Sequence, residues 1–577
     1  MLPASVTERL DRLAPDQREA ATAPPGPVLC VAPAGSGKTT TLVARIAWLI
    51  ATGADPAAIT AVTFNKRAAD EMAARVDAAL EPLGLSPGSV RVKTFHALGR
   101  EILGDGGERV EPLLDRESVL RDIWPDIDRG AIRRLDDAFS RLKLEVGVTA
   151  REVATDPEPG PIARAFLAYE AAVEDAGGLD FDDLVARAVR LLEARPALLR
   201  HWRASCRDLL VDETQDVDRT QLRLAMLLSA PAHRLFAVGD DDQTIYGWRL
   251  ADVRRVLLLA REMPGLRRID LTVNYRCPAP VVERAVRLVG HNRERFDKEI
   301  RACDSARGRL ILAPDGSDEI LRLRRLIRSW PDDGASRAIL ARSNAELLPA
   351  AAVALELGRS FRAPRLRFLS EDRRVDAILI AAEAAKTDAG SPDGSLGRED
   401  EWLLPRLVAL ARAHAAGLTL TDPPARSAAA PFDADGLDLD EPLPVETADL
   451  IAAVVAWSPP NPTLADLRIS LERHRRALSE LRRDDAPLTL ATAHSTKGLE
   501  FDHVAVIGMD AGRFPSGRSL RDSVEPERAL EEERRLAYVA WTRARLSLTL
   551  VYDPAAPSQF MLEAFSAAEL GLAESGS

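Results

Sequence analysis

Two glycines, a lysine and two threonines fall within nine residues in "APAGSGKTT", Ala32 to Thr40, between an apolar run and a helix-forming one. That spacing suits phosphate chemistry. Backbone N–H groups from Gly35 through Ser36 and Gly37 to Lys38 can wrap phosphates at a helix N-terminus. The Lys38 ammonium can then reach the β- and γ-phosphates of a nucleotide, and Thr39 can offer its hydroxyl to Mg²⁺. Thr40 belongs to the same nucleotide-binding set. Ala32 stands where such loops usually carry their first glycine. An ordinary glycine-rich turn is the alternative, weakened by the strand pattern before it and the helix pattern after it.

A second motif, "LLVDETQD", ends an apolar run in Asp212 and Glu213. A carboxylate at the C-terminal end of a strand suits the water shell of Mg²⁺, and its neighbour can polarise an attacking water. Acidic strand ends are common on surfaces, so the pair takes its meaning from the loop; together they specify an NTPase and nothing narrower. A third stretch, "VGDDDQTIYGWRL" from Val238 to Leu250, crowds three aspartates, Gln243, Tyr246 and Trp248 after an apolar run. A core gains nothing from adjacent charges, so this stretch is expected to face a partner outside the chain.

The elements that must position these residues are legible as an alternation. "PVLCVA", "AITAVTF" and "VRVKTF" are β-branched runs, the first two followed by amphipathic helical stretches, and "DLLVDE" and "RLFAVGD" resume the pattern later. The alternation predicts an α/β fold with a parallel sheet covered by helices. A second series opens with "RRIDLTVNYR", continues through "RLILAP" and "RAILAR", and reappears as "LTLATAHS", "HVAVIGM" and "SLTLVY". The expected organisation is a first lobe over 1–105 and 181–277 with a helical insertion at 106–180, and a second lobe over 278–368 and 486–577 with a reduced acidic insertion at 369–485.

Length and composition agree with a multi-domain globular chain: 577 residues, 46% hydrophobic and 29% charged. The longest apolar run, "TLVARIAWLIA", is broken by Arg45, and the first residues lack a basic start followed by an apolar core. No membrane partner and a cytoplasmic location are therefore expected. Cys30, Cys206, Cys277 and Cys303 share no C-x-x-C spacing, which argues against zinc, an iron–sulfur cluster or a disulfide framework. The net charge of −12 would by itself disfavour a nucleic-acid partner, but residues 386–450 hold 13 acidic and 5 basic side chains, so most of the imbalance sits in one segment.

Taken in order, from "LAPDQREA" to "EEERRLAYVAWTRA", the motifs resemble those of the UvrD/Rep family of superfamily-one DNA helicases. The resemblance covers both lobes and implies two RecA-like lobes with parallel sheets, each interrupted by a mostly helical insertion, using ATP and Mg²⁺. It implies that Gln17 reads the adenine edge, Tyr275 stacks on the base, Arg276 and Arg543 face the γ-phosphate, and Glu500 contacts the nucleotide. Lys38, Asp212, Glu213 and Gln243 complete the catalytic set, with Thr39 and Asp212 on the metal. Phe64, His96, Tyr246, Trp248, Arg249 and His494 fall where the family lines its single-strand groove. The alternative for the aromatics, Phe64 above all, is a place in the core. The family's "TFTNKAA" is "TFNKRAA" here, which shifts Lys66 and Arg67, and Leu250 replaces the glycine usual after the arginine.

The resemblance implies a helicase or translocase moving 3′-to-5′ on single-stranded DNA and at single/double-strand junctions, in repair, replication restart or recombination, with a nuclease or repair protein as possible partner. A DNA-stimulated ATPase subunit of a defence or nuclease assembly, unwinding little alone, is the second reading. A nucleotide kinase would explain the phosphate loop but neither the second-lobe arginine nor the aromatics. The Pro/Gly/Asp-rich breakers "SPDGSLG", "DPPARSAAAPFDADG" and "SPPNPT" mark 369–485 as an accessory module. Limited proteolysis is expected to nick there first, and first cuts inside the motif-bearing lobes would contradict that boundary.

Overall fold

The computed structural model describes residues 2–127, 129–372, 374–384 and 464–572. Fourteen strands lie among them: β1 Val28–Val31, β2 Ile59–Thr63, β3 Arg91–Thr94, β4 Asp208–Val211, β5 Leu235–Gly239, β6 Arg267–Asp270, β7 Val273–Asn274, β8 Arg301–Ala302, β9 Arg309–Pro314, β10 Arg337–Ala341, β11 Phe361–Arg362, β12 Leu488–Thr492, β13 Phe501–Val506 and β14 Ala544–Tyr552. Two six-stranded sheets result, ordered β3-β2-β4-β5-β1-β6 and β11-β12-β10-β13-β14-β9. Every pairing within them is parallel. Strands β1, β2, β4, β5 and β10 are buried along their whole length, which explains why they read as near-continuous apolar runs: helices cover both faces of a parallel sheet.

The phosphate loop leaves the C-terminal end of β1, and Asp212 follows the C-terminal end of β4. Between them in the sheet lies β5, which runs into Asp240. All three motifs are thus delivered to one edge of one sheet, where open α/β sheets place their ligands.

One expectation is corrected. "RRID" does not open the second series; as β6 it pairs with β1, Arg267 opposite Val28 through Asp270 opposite Val31, and forms the edge of the first sheet. Its pattern is mostly solvent-facing, as suits an edge, so its charged residues carry no information about which sheet it joins. The next two strand residues, β7, pair with β8 in a separate two-stranded ribbon.

Between the first-lobe strands, Leu120, Ile132, Phe139, Phe166, Tyr169 and Val173 close a small helical core of their own. It is fastened to helix Phe181–Ala194 by a buried ion cluster: Lys143 Nζ lies 2.7 Å from Glu170, 2.8 Å from Asp180 and 3.1 Å from Asp183, and Arg116 reaches Asp180 and Asp182 at 2.7 Å each. The lobes themselves share a core. One apolar cluster joins Ala34, Ile245, Tyr246 and Ala251 to Ala338, Val504 and Trp541.

Of the acidic module expected at 369–485, Leu369–Glu371, Arg374–Ala384 and Leu464–Leu481 form helical pieces; most of the rest, with its acidic run, lies outside the described residues. Among the described residues no helix is long and apolar enough to cross a membrane.

Helix Phe95–Asp105 packs on Phe181–Ala194 so closely that a Cβ at Gly99 would overlap the Leu184 carbonyl oxygen. Gly99→Ala is expected to destabilise the first lobe by about 1–3 kcal/mol, read as a lower chemical-denaturation midpoint; an unchanged midpoint would show the helices free to separate.

Candidate nucleotide site and nucleic-acid surface

The loop after β1 depends on two left-handed glycines, Gly35 at φ 68° and Gly37 at φ 85°. Space is as restrictive as conformation. A Cβ on Gly35 would lie 2.7 Å from Asn274 Oδ1, and one on Gly37 would lie 2.6 Å from Gln17 Nε2. Ala32 has no positive φ and its N–H continues the sheet to the Gly239 carbonyl at 2.8 Å, so nothing in its geometry demands glycine. Helix Lys38–Ala51 begins directly after Gly37, with Thr39 half-buried and Thr40 exposed at its start. The Ser36 hydroxyl is buried without a hydrogen-bond partner among the described residues. Gln17 is placed against the loop: its Nε2 donates to the Ser36 carbonyl at 2.8 Å, and its Oε1 accepts from Ala14 N–H at 3.1 Å.

Beside the loop, Lys38 Nζ donates to Glu213 Oε2 at 3.0 Å. Glu213 has φ 50°, a left-handed conformation costly for a residue with a side chain, and its N–H is held by Asp212 Oδ1 at 2.9 Å. The two carboxyls are driven apart electrostatically. Burial, with the Glu213 charge adding to it, pushes Asp212 up to about 7. Burial acts upward on Glu213 too, but Lys38 and Lys497 outweigh it and bring that carboxyl down to about 2. A group held ionised beside one held near neutrality is the pattern of a site with divided tasks.

The second lobe reaches the same place. Arg543 follows helix Pro526–Trp541 and is 1% exposed. Its guanidinium donates to the carbonyls of Val539 (2.8 Å) and Leu499 (3.1 Å), to Thr542 Oγ1 (3.3 Å) and to Gln243 Oε1 (3.1 Å). No carboxylate among the described residues pairs with it, and burial, reinforced by the Arg276 charge, pulls its pKa down to about 9. Tyr275 is held by its N–H to the Gly35 carbonyl at 2.9 Å while its ring is 45% exposed. Arg276 pairs with the exposed Glu500 at 2.8 Å. Asn274 Oδ1 accepts from the N–H groups of both Arg276 and Cys277 at 2.8 Å, which sets the turn presenting Tyr275 and Arg276.

The three aspartates do not face an outside partner as expected. Asp240, Asp241 and Asp242 are 0%, 2% and 0% exposed. Lys298 Nζ meets all three, at 3.0 Å for Asp240 and Asp242 and closer still for Asp241, and Arg295 grips Asp242 at 2.8 and 3.0 Å. Burying a charge is costly only when it lacks a countercharge, and here the countercharge comes from "RERFDKEI", 50 and more residues downstream. Nothing local in the aspartate stretch announces it. Lys497 was likewise unassigned: its ammonium meets Asp216, donates to the Gln243 carbonyl at 2.7 Å, and lies 5.2 Å from the Tyr246 ring centre. It lies in "HSTKGLEF", His494 to Phe501, where nothing local announces these contacts.

The aromatics form a strip. Phe64 and Tyr246 stack at 5.0 Å and 12°, Trp248 meets Tyr246 edge-on at 6.1 Å, and the Arg249 guanidinium lies 4.5 Å from the Trp248 ring centre. Trp248 is 47% exposed while Tyr246 is buried. Phe64 packs against the inter-lobe core yet is not enclosed by it. In the shifted "TFNKRAA", Arg67 pairs with Glu71 at 3.0 Å on the helix surface. His96 stacks on Phe181 at 3.8 Å. Burial lowers its pKa to about 4, and that of His494, with Arg342 and Arg365 adding, to about 3. Both imidazoles are neutral at physiological pH.

Residues 13–264 match the UvrD/REP helicase N-terminal domain, and residues 464–554 match the UvrD-like helicase C-terminal domain. The chain is 30% identical to DNA helicase II of Escherichia coli (strain K12), over 95% of its own length and 85% of that protein's. It belongs to the UvrD/Rep helicase family. ATP-dependent DNA helicase PcrA of Staphylococcus epidermidis is 28% identical, over 92% of this chain and 82% of the relative. ATP-dependent DNA helicase UvrD1 of Mycobacterium tuberculosis is also 28% identical, over 95% and 83%.

An ATP-dependent DNA helicase of this family must hold strands of any sequence, and a stacking ring does so because every base has a π-face. Trp248 is the ring of the strip most open to solvent. Trp248→Ala is expected to weaken single-strand binding by about 1–3 kcal/mol, measured by fluorescence titration with oligonucleotides; unchanged affinity would leave the strip a packing feature.

Proposed function

We propose that this helicase hydrolyses ATP in the cleft between its lobes and uses the cycle to move 3′-to-5′ along single-stranded DNA. Single/double-strand junctions are its proposed substrates, and cytoplasmic DNA repair, replication restart or recombination its setting. The observation that carries the reading is Arg543: a buried cation that forms no ion pair with a described carboxylate, supplied by one lobe and touching Gln243 of the other. Such a group is under-neutralised until an anion arrives. A γ-phosphate between the lobes would supply that charge.

The residues divide the work as follows. Lys38 leaves Glu213 for the β- and γ-phosphates, which frees the Glu213 carboxylate, already ionised, to orient and deprotonate the attacking water. Gln243 turns its amide between Arg543 and the γ-phosphate or water. Arg276 exchanges Glu500 for phosphate, Tyr275 offers its exposed ring to the base, and Gln17 exchanges its bond to the Ser36 carbonyl for the adenine edge. The half-buried Thr39 hydroxyl and the Asp212 carboxylate are hard oxygen donors that suit Mg²⁺, which when bound supplies positive charge to the phosphate oxygens. Phe64, His96, Tyr246, Trp248, Arg249 and His494 form the proposed DNA-contacting set, with the strip supplying stacking and the two neutral histidines hydrogen bonds.

The acidic run at 386–450 supports one second reading, in which the chain is a DNA-stimulated ATPase subunit of a nuclease or defence assembly. A strand-displacement assay on the purified chain separates the two. For either reading, Lys38→Ala is expected to abolish turnover. Arg543→Ala should lower DNA-stimulated turnover by about 10³-fold or more with nucleotide binding, followed by a fluorescent analogue, largely kept. Near-normal turnover in Arg543→Ala would exclude a composite site.

A further inference from the structure

Residues Asn292 to Lys298, "NRERFDK", run between the lobes as a strap tied at both ends. One end is held by the helix that leads to Arg543. Asn292 Nδ2 donates to the Glu531 carbonyl at 3.1 Å, the N–H groups of Arg293 and Glu294 donate to the Glu531 carboxylate at 2.8 and 3.2 Å, and Arg535 donates to the Glu294 carbonyl at 2.7 Å. The other end closes on the loop after β5. Arg295 grips Asp242, the Phe296 N–H donates to Asp241 Oδ2 at 2.8 Å, and Lys298, with 1% of its side chain exposed, is enclosed by all three aspartates.

The contact that matters for the reaction is one step further on. Asp240 Oδ2 accepts from Gln243 Nε2 at 2.6 Å, while Gln243 Oε1 accepts from Arg543 at 3.1 Å. A carboxylate can only accept and a guanidinium can only donate. Held between the two, the Gln243 amide has a single permitted orientation. Asp240 keeps its place through Lys298 at 3.0 Å and through its own turn, where it accepts from the Asp242 N–H at 3.2 Å.

We infer that Lys298 is a positioning residue for hydrolysis: through Asp240 it fixes which end of the Gln243 amide faces Arg543, and through the strap it ties that orientation to the helix carrying Arg543. The inference rests on the reading of Gln243 as the amide facing the γ-phosphate. Arg543 and Gln243 are thereby joined twice, once by direct contact and once through Glu531, the strap, Lys298 and Asp240. A displacement of the second-lobe helix then moves Asp240 together with Arg543 and does not simply pull the arginine away from a stationary amide.

The merely structural alternative is that Lys298 neutralises buried carboxylates and nothing more. Lys298→Met alone would strand those charges and risks failing to fold, so it is combined with Asp241→Asn, which restores the local balance and has no side-chain contact with Gln243 in the geometry above. Asp241→Asn by itself is the control that keeps Lys298 on Asp240. Steady-state ATP turnover is measured with saturating oligo(dT), with Gln243→Ala made in each background. The doubly substituted chain is expected to lose about tenfold in DNA-stimulated kcat relative to the Asp241→Asn control, with KM for ATP within about threefold, and adding Gln243→Ala should then cost less than about twofold more. Wild-type kcat in the doubly substituted chain, or losses that multiply, would overturn the inference. Should that chain not fold, Asp240→Asn reads the same step with Lys298 still paired to two aspartates; the same loss and the same non-additivity are expected, and full kcat overturns the inference. Full DNA-stimulated turnover in Gln243→Ala alone would instead sink the underlying reading of Gln243.

Discussion

A guanidinium that is 1% exposed and whose partners among the described residues are carbonyls, a hydroxyl and an amide is the constraint on which the cleft depends. Dipoles solvate such a charge only in part, so Arg543 holds the inter-lobe surface in a state that an anion improves. Everything that places it is second-lobe architecture. Helix Pro526–Trp541 packs its buried face, Leu536 to Trp541, into the core shared by both lobes, and the chain turns at Thr542, whose hydroxyl bonds back to the Tyr538 carbonyl at 2.8 Å, directly into β14. The arginine sits on a rigid corner. Its position relative to Gln243 is therefore a statement about how the lobes stand.

The buried charges of the molecule fall into two groups, and the difference is functional. Lys143 with Asp180 and Asp183, and Lys298 with Asp240 to Asp242, are ion-paired inside the chain and fasten one element to another. Around the phosphate loop compensation is incomplete or borrowed. Lys38 uses the carboxylate proposed to act on water, Asp212 is pushed toward neutrality by burial and by Glu213, and among the described residues Ser36 Oγ has no hydrogen-bond partner and Arg543 forms no ion pair. Such incomplete pairing is what a site proposed to accept phosphates requires. The cost of that incompleteness is carried by the surrounding core and by the satisfied clusters, in keeping with marginal local stability at functional loops.

How much of this was legible in the sequence follows from how far apart the interacting parts lie. The loop at Ala32–Thr40, the acidic strand end at Asp212, and the alternation that builds parallel sheets are local patterns, and the structure places them on one edge of one sheet. β6 was assigned to the wrong series because an edge strand with two exposed arginines has the same composition wherever it pairs. The aspartates of Asp240–Asp242 were read as facing outward because a sequence window shows charge but not the lysine 56 or more residues away that neutralises it. Lys497 and Asn274 lie inside recognisable motifs, but their contacts, to distant side chains and a carbonyl for Lys497 and to backbone N–H groups for Asn274, are announced by no residue type. Leu250 is the converse: the missing glycine was visible, and the structure keeps the left-handed turn anyway at φ 66°, with Arg255 donating to its carbonyl.

The short segment from Gln243 to Trp248 then has a physical reason for being short. Gln243 belongs to the nucleotide side through Asp240 and Arg543, and Tyr246 to the strip through Phe64. A flexible connection of this length could absorb a displacement of either end. It is denied that freedom by Lys497, whose ammonium holds the Gln243 carbonyl and Asp216 while lying against the Tyr246 ring. Asp216 is three residues beyond Glu213, so one second-lobe cation touches the turn that bears the carboxylate proposed to activate water, the backbone of Gln243, and an aromatic of the strip. Two sites are coupled only when each alters the free energy of the other. Lys497 brings those three elements into contact through one side chain, without a chain of intermediate residues. It also explains why the loop is built from buried polar side chains rather than apolar ones: hydrogen bonds and ion pairs specify direction as well as proximity, and an element that transmits a change of orientation needs both.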